Sequence, residues 1–495
     1  MFSFSFNLKF VRYALANVTY VISFLMFITL LVSIYFKDGH SYVYIRQIII
    51  MLIASFLLKF GLKREEVIKL RTPDLFLTTS LMWVYGVFIC MFPYIIIANY
   101  DFANAFFEMC SGLTTTGASI ITDFKSLPIS LLFWRQITQW FGGIGFIVVG
   151  VLILPNLGTG GMKLFKTESS DSEEKAFSHY RDMAFAIAVY YLFITFSCAF
   201  SYWLCGMGKM DAIMYSFTTV STGGFAPTDD SFGELVTTYW PGVVFMYLSA
   251  LPFQVFVLNL RNRSPWRIFK DQQIQVYTLI LMVVAFLISI DRLLYHTGSE
   301  LGSQYHYSLF YIYWESLVNL INLSTNTGFG ISDYSAWGAA SIGLMATMAM
   351  LGGCSGSTAG GLKIFRLNII QMFIHQQMNK TIHSNASSVI FYNGQSVDKD
   401  DLQGVFFFIC IYFMTASFAV FILSFTGLSI DQSLSSVVTT ISNTGALVVG
   451  GVSDTTGGFD GQTNLQKVIN GFVMLLGRLE CTTMLVLLMP KFWRY

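Results

Sequence analysis

The chain is short of charge. Only 12% of its 495 residues are Asp, Glu, Lys or Arg, about half the ~25% of a soluble domain, and the signs cancel to a net charge of +1. The shortage excludes an ordinary water-facing surface. The balance excludes a nucleic-acid partner drawn by a global field. Cysteine chemistry is equally thin. Seven cysteines (Cys90, Cys110, Cys198, Cys205, Cys354, Cys410, Cys481) lie mostly in apolar stretches, without a C-x-x-C or metal-ligand spacing to the six histidines. They read as small buried apolar thiols. No G-x-x-x-x-G-K string occurs, so a nucleotide loop of that type is excluded. Few ionisable residues enter the apolar runs and they do not cluster, which leaves a polytopic membrane enzyme without catalytic groups.

What is abundant is apolar surface. The sequence is 54% hydrophobic with a mean hydropathy of +0.61, and many runs reach the roughly 20 residues that cross a bilayer. The first, from about Tyr13 to Phe36 behind Lys9 and Arg12, is too long for a signal-peptide core and reads as a retained crossing. With a second run near 42–61 it forms a hairpin.

Beyond the hairpin one short phrase recurs four times: Thr-Thr-Thr-Gly at 114–117, Val-Ser-Thr-Gly at 220–223, Thr-Asn-Thr-Gly at 325–328 and Ser-Asn-Thr-Gly at 442–445. Gly117, Gly223, Gly328 and Gly445 follow one another at 106, 105 and 117 residues, a period that implies a repeated unit. Each unit has a first crossing (near 74–98, 183–206, 273–294 and 403–427), a shorter segment ending at the phrase, and a second crossing (near 129–155, 236–260, 338–372 with an interruption, and 465–490). The expected fold is an all-α polytopic membrane protein. Four pseudo-symmetric helix–pore loop–helix repeats surround one central pore, and the N-terminal hairpin brings the total to about ten crossings. The expected divisions are 1–72, 73–162, 163–268, 269–380 and 381–495.

Basic residues set the orientation. Lys63, Arg64, Lys69 and Arg71, then Lys163, Lys166, Lys175 and Arg181, then Arg261, Arg263, Arg267 and Lys270, then Lys363, Arg366 and Lys380, and finally Lys491 and Arg494 fall on one side. That side is cytoplasmic, it holds both termini, and the phrases re-enter from outside. Asp123, Asp229, Asp230, Asp333 and Asp454 follow the phrases and read equally as turn residues or as a cation-concentrating vestibule.

Non-helical backbone at membrane depth is tolerated where it lines a watery cavity or is buried in protein. Carbonyls turned toward an axis can replace a cation's hydration shell, and glycine permits the required backbone angles. The candidate filter is therefore Thr115, Thr116, Gly117, Ser221, Thr222, Gly223, Asn326, Thr327, Gly328, Asn443, Thr444 and Gly445. Asp101, Asp211 and Asp431 are expected to cap the short helices, with Glu315 the nearest acid in the third unit. The helix C-termini would then favour a cation. Ala118, Gly224, Phe329 and Ala446 follow the glycines, so the quarters are not identical. They also lack the second glycine–aromatic step of the tetrameric potassium-channel loop, which points to fewer ion sites.

Below the filter, the third unit's second crossing is interrupted by Gly352-Gly353-Cys354-Ser355-Gly356-Ser357-Thr358-Ala359-Gly360-Gly361, since each helical glycine costs about 1 kcal/mol relative to alanine. The fourth unit's second crossing carries Arg478 and Glu480, and an intramembrane ionisable residue needs a partner. The expected partner of Arg478 is the set of carbonyls exposed by the 352–361 break, which it would hold across the pore. The candidate gate is Gly352, Gly353, Ser355, Gly356, Ser357, Thr358, Gly360, Gly361 and Arg478. Gly142, Gly143 and Gly145 read as helix packing.

These strings resemble the Trk/Ktr/HKT superfamily of potassium uptake proteins, and most of all its bacterial Trk-type membrane subunits. The resemblance covers almost the whole chain. It rests on Ser-Gly-Leu-Thr-Thr-Thr-Gly-Ala at 111–118, Ser-Thr-Gly-Gly-Phe at 221–225, Thr-Asn-Thr-Gly-Phe-Gly at 325–330, Gly-Gly-Cys-Ser-Gly-Ser-Thr-Ala-Gly-Gly-Leu-Lys at 352–363 and Gly-Arg-Leu-Glu at 477–480. It implies that the family's filter glycines are Gly117, Gly223, Gly328 and Gly445, and that 352–361 is its gating loop with Arg478 the arginine below the filter. It further implies potassium as the transported ion with no organic cofactor, a homodimer with one pore per subunit in the cytoplasmic (inner) membrane, and a docked nucleotide-binding regulatory subunit of the TrkA type. Symport with sodium or protons, and sodium permeation, are the alternatives within the superfamily.

Overall fold

In the computed structural model the described residues are 6–62, 71–152, 180–228, 238–261, 265–296, 309–331, 337–383, 389–445 and 458–494. Lys63, Arg64, Lys69, Lys163, Lys166, Lys175, Asp229, Asp230, Arg263, Asp333, Ala446 and Asp454 lie outside them.

The N-terminal hairpin is α1 (Leu8–Phe36) and α2 (Ser41–Lys59). Asn7 opens α1, its side chain accepting the Phe10 amide at 3.1 Å. Asp38 in the intervening turn accepts from Ser33 Oγ, the His40 amide and the Ser130 amide. Burial works to raise the Asp38 pKa, but these bonds together hold it below the ordinary carboxylate value, tying the hairpin to the first repeat.

Repeat 1 comprises α3 (Thr72–Cys90), α4 (Phe92–Ile97), α5 (Phe102–Leu113) and α6 (Ile129–Leu152). Repeat 2 comprises α7 (Tyr180–Leu204), α8 (Lys209–Val220), α9 (Tyr239–Ser249) and α10 (Phe253–Arg261). Repeat 3 comprises α11 (Gln272–His296), α12 (Leu309–Ser324), α13 (Ala339–Leu351) and α14 (Ile364–Ile382). Repeat 4 comprises α15 (Lys399–Phe425), α16 (Ile430–Ser442), α17 (Asn464–Arg478) and α18 (Thr482–Leu485). A two-residue antiparallel pair, Phe391–Tyr392 with Gln395–Ser396, joins the last two repeats.

The surface is inverted relative to a soluble protein. Phe24, Phe193, Phe286 and Phe418, on α1, α7, α11 and α15, are 53–65% exposed, while the serines and threonines of α16 (Ser433, Ser435, Ser436, Thr439, Thr440 and Ser442) are buried. Apolar side chains facing outward and polar ones facing inward suit a hydrocarbon solvent. By length and hydropathy α1, α2, α3 with α4, α7, α11 and α15 can each cross a membrane.

The second crossings depart from the sequence expectation of two continuous helices in repeats 2 and 4. α9 and α10 meet at 89°, and α17 and α18 at 108°. In repeat 2 the bend falls at Pro252, which has no N–H to donate. The freed carbonyls of Ser249 and Ala250 accept instead from Thr358 N (3.3 Å) and Cys354 N (2.9 Å). In repeat 4 the chain turns through Glu480 and Cys481, with left-handed φ of 58° and 44°. Among the described residues of the second crossings, α6 alone, 24 residues long, runs without a break.

The caps need correction as well. Asp101 caps α5, accepting the Asn104 amide at 2.9 Å. Asp211 and Asp431 lie inside the first turns of α8 and α16, behind Gly208 and Ser429. Ser429 and Gln432 form a capping box, which leaves Asp431 free to complement the helix dipole. Glu315 sits within α12, paired with Arg292 at 2.7 Å.

Candidate ion site and the loop beneath it

The four short helices end alike. After α5, α8, α12 and α16 one residue takes the left-handed conformation: Thr115 (φ 55°), Thr222 (52°), Asn326 (61°) and Asn443 (57°). The next amide reaches back five residues to the helix: Thr116 N to Ser111 O, Gly223 N to Thr218 O, Thr327 N to Asn322 O and Thr444 N to Thr439 O, at 2.8–3.0 Å. These bonds fix the register. Thr116, Gly223, Thr327 and Thr444 are equivalent, and the residue after each is the structural glycine: Gly117, Gly224, Gly328 and Gly445. The second phrase as read from sequence is therefore displaced by one. Gly224 (φ 72°), not Gly223, matches Gly117 (87°) and Gly328 (74°).

The four turns close a cycle. A Cβ added at Gly117 would overlap the Gly223 carbonyl, one at Gly224 the Thr327 carbonyl, and one at Gly445 would lie 3.0 Å from the Thr116 carbonyl. Asn443 Nδ2 donates to Thr116 Oγ1 (3.0 Å), and Asn326 Nδ2 to Thr444 Oγ1 (2.5 Å). Hydroxyl pairs Thr114–Thr116 (2.7 Å), Thr325–Thr327 (2.7 Å) and Ser442–Thr444 (2.9 Å) stiffen three of the turns. Every candidate filter residue is thus brought to one place, with main-chain carbonyls at its rim.

Behind the ring stand braces that the sequence reading missed. Glu108, fully buried in α5, is paired with Arg135 of α6 at 2.7 Å. It also accepts from Ser119 Oγ (3.0 Å) and the Ile120 amide (3.2 Å). Arg135 donates to the Ala226 carbonyl and lies 3.4 Å from the Phe225 ring centroid, locking loop 1 to loop 2. Asn322 brackets Phe329, accepting its amide at 2.9 Å and donating to its carbonyl. Gln139 of α6 donates to the Gly223 carbonyl at 2.7 Å and accepts the Phe225 amide at 3.1 Å. An arginine and a glutamine inside an apolar crossing were the available signal.

The glycine-rich segment lies directly under the ring. Thr358 Oγ1 is within reach of the Val220 and Ser249 carbonyls (3.1 and 3.0 Å). A Cβ at Gly360 would overlap the Ser442 carbonyl, and one at Gly352 would lie 3.1 Å from Asn326 Oδ1. The segment therefore touches the short-helix ends of repeats 2, 3 and 4. Gly353 packs on Ala250, Ser355 N donates to Gln273 at 3.0 Å, Gly356 O accepts the Phe253 amide at 3.0 Å, Ser357 Oγ donates to the Cys354 carbonyl, and Gly361 packs on Gly352. Buried Arg478 donates to the Thr358 carbonyl at 2.9 Å. It closes α17, at the corner of the bend rather than twelve residues short of a helix end as the sequence suggested. Glu480 pairs not with Arg478 but with Arg366 of α14, at 3.0 Å. Gly142 and Gly143 are packing glycines, against the Leu113 carbonyl and Ser221.

Among the described residues no group of His, Cys, Asp and Glu is arranged to hold a resident metal. Lipid-facing helices around a rim of main-chain carbonyls define an integral membrane transport protein. A family model described as TrkH, a cation transport protein, matches residues 40–495. The Trk system potassium uptake protein TrkI of Halomonas elongata is 36% identical, over 97% of this chain and 96% of its own. TrkH of Vibrio parahaemolyticus is 30% identical, over 94% and 95%. The crystal structure of the potassium transporter TrkH from Vibrio parahaemolyticus matches with a TM-score of 0.88 at 28% identity, covering 98% of this chain and 100% of that one. The chain belongs to the TrkH family of cation transport proteins.

Proposed function

We propose that this protein carries potassium into the cell through the axis ringed by the carbonyls of Thr116, Gly223, Thr327 and Thr444, with Gly117, Gly224, Gly328 and Gly445 as the positions that let the four turns meet. The observation that carries the reading is the cyclic closure: each left-handed turn abuts the next, and the groups at the seam are oxygens suited to a dehydrated monovalent cation. Thr115, Ser221, Thr222, Asn326 and Asn443 set the turns; the hydroxyls of Thr116 and Thr444 receive the cross-links. The relatives named for potassium uptake support the choice of ion.

The loop containing Gly352, Gly353, Ser355, Gly356, Ser357, Thr358, Gly360 and Gly361 is the gate, latched by Arg478 to the Thr358 carbonyl. The repeats occupy 73–162, 163–268, 269–380 and 381–495 after the hairpin 1–72. The protein acts as a homodimer in the inner membrane, filter loops outside, with a nucleotide-binding regulatory subunit on its basic cytoplasmic face. The test is potassium against sodium flux in proteoliposomes, with that subunit present. Potassium flux exceeding sodium flux is expected, and Gly117→Ser lowers the ratio. Equal flux of both ions, or a ratio unmoved by Gly117→Ser, overturns the reading.

A further inference from the structure

Three corners of the carbonyl ring are built the same way and the fourth is not. Thr116, Thr327 and Thr444 each carry a side chain bonded to the hydroxyl two residues earlier. The equivalent residue in repeat 2 is Gly223, which has none. Its φ lies outside the left-handed region, so backbone geometry does not require glycine there. Space does: a Cβ at Gly223 would overlap the side-chain amide of Gln139.

Gln139 is fully buried and comes from α6, the second crossing of repeat 1. It makes a bidentate clamp across Gly224, Nε2 on the Gly223 carbonyl (2.7 Å) and Oε1 on the Phe225 amide (3.1 Å). At two of the other three junctions neighbouring repeats are linked from Asn to Thr, by Asn326 to Thr444 and Asn443 to Thr116; at the junction of repeats 2 and 3 the corresponding residues are Thr222 and Thr327, where the main chain of Gly224 packs directly on the Thr327 carbonyl. Between repeats 1 and 2 the corresponding residues are Thr115 and Gly223, which cannot form that link. The Gln139 amide does so instead.

We infer that Gln139 is a specificity-determining positioning residue, a side-chain amide borrowed from the adjoining repeat to stand where the other three corners have threonine. The inference rests on the filter reading above. Its chemistry follows from the bond. A carbonyl that already accepts an N–H presents a weaker field to a cation and is pinned in place. Both effects favour the larger, more easily dehydrated ion over the smaller one, which needs a strong, inward-moving ligand. Freeing the Gly223 carbonyl therefore lets sodium compete.

The experiment measures ion-dependent thermal stabilisation of the purified full-length protein in potassium and in sodium, which does not require the gate to open, alongside the flux ratio. Gln139→Leu is expected to lower the potassium preference about three- to tenfold, the scale of one net hydrogen bond. Gly223→Thr alone, with no room for its side chain, loses the stabilisation by potassium. The double variant Gln139→Ala with Gly223→Thr regains most of the preference, because threonine then occupies the space as it does at 116, 327 and 444. An unchanged preference in Gln139→Leu, or a double variant no better than the worse single, overturns the inference. If Gly117→Ser also leaves the preference untouched, the filter reading fails with it; if Gly117→Ser abolishes it, only the role of Gln139 is lost.

Discussion

The ring and the layer beneath it are built from the same four repeats, yet they differ in kind. In the ring, helix ends, left-handed turns and back-bonds repeat residue for residue, because the interacting groups are main-chain carbonyls and amides that every sequence possesses. Below it, α6 is unbroken, α9 and α10 bend at Pro252, α13 and α14 are separated by a glycine-rich loop, and α17 and α18 turn at Glu480 and Cys481. The difference follows from what each layer is proposed to do. The proposed cation site needs main-chain oxygens on all sides, whereas the proposed closure needs one repeat to cross the axis and the others to receive it.

The largest expected effect breaks the ring at its corrected register. Gly224→Ala forces a Cβ onto the Thr327 carbonyl at a left-handed φ, a strain of roughly 1–3 kcal/mol before the overlap is counted. Potassium-dependent stabilisation should vanish, and a wild-type response would show that the second quarter is not part of the seam. A smaller effect acts on the layer beneath. Arg478→Gln shortens the donor to the Thr358 carbonyl and should raise potassium flux several-fold while leaving the potassium-to-sodium ratio alone, since the ring is untouched. A changed ratio would mean that the two layers are not separable.

The smallest effect lies outside both. Asp38→Asn weakens the tie between the hairpin and Ser130, and the melting temperature at neutral pH should drop by on the order of 1 °C. The sign follows from the depressed pKa of Asp38. Its contribution is present above the unfolded-state value and is lost as pH falls through the lower folded-state value. The variant and the parent should therefore converge at strongly acid pH. A difference between them that grows on acidification would contradict this.

Much of the upper layer was legible in sequence, because small polar residues with glycine between apolar runs have few other uses. The hairpin, four short helices, four loops and a bond from Arg478 to some carbonyl of the 352–361 segment were readable; that the carbonyl is Thr358's was not. The register of the second turn was not. Ser-Thr-Gly-Gly offers two glycines, and only the end of α8 at Val220 decides between them. The bends were hidden for a different reason. Pro252 is a weak marker inside an apolar run, and Glu480 and Cys481 adopt left-handed angles without glycine. Pairing was hidden by distance: Arg366 and Glu480 are 114 positions apart, and Glu108 meets Arg135 only once α5 and α6 pack.

The main-chain bonds between the glycine-rich segment and repeat 2 carry a kinetic consequence. Cys354 and Thr358 donate to Ala250 and Ser249, and Gly356 accepts from Phe253, so the segment is stitched to the corner of a neighbouring helix. It cannot swing aside alone without stranding these groups where water is scarce. Displacement must either break several bonds together or drag the α9–α10 elbow with it. On the gating role proposed above, opening would be a concerted event with a steep temperature coefficient, paced by the elbow rather than by the segment itself.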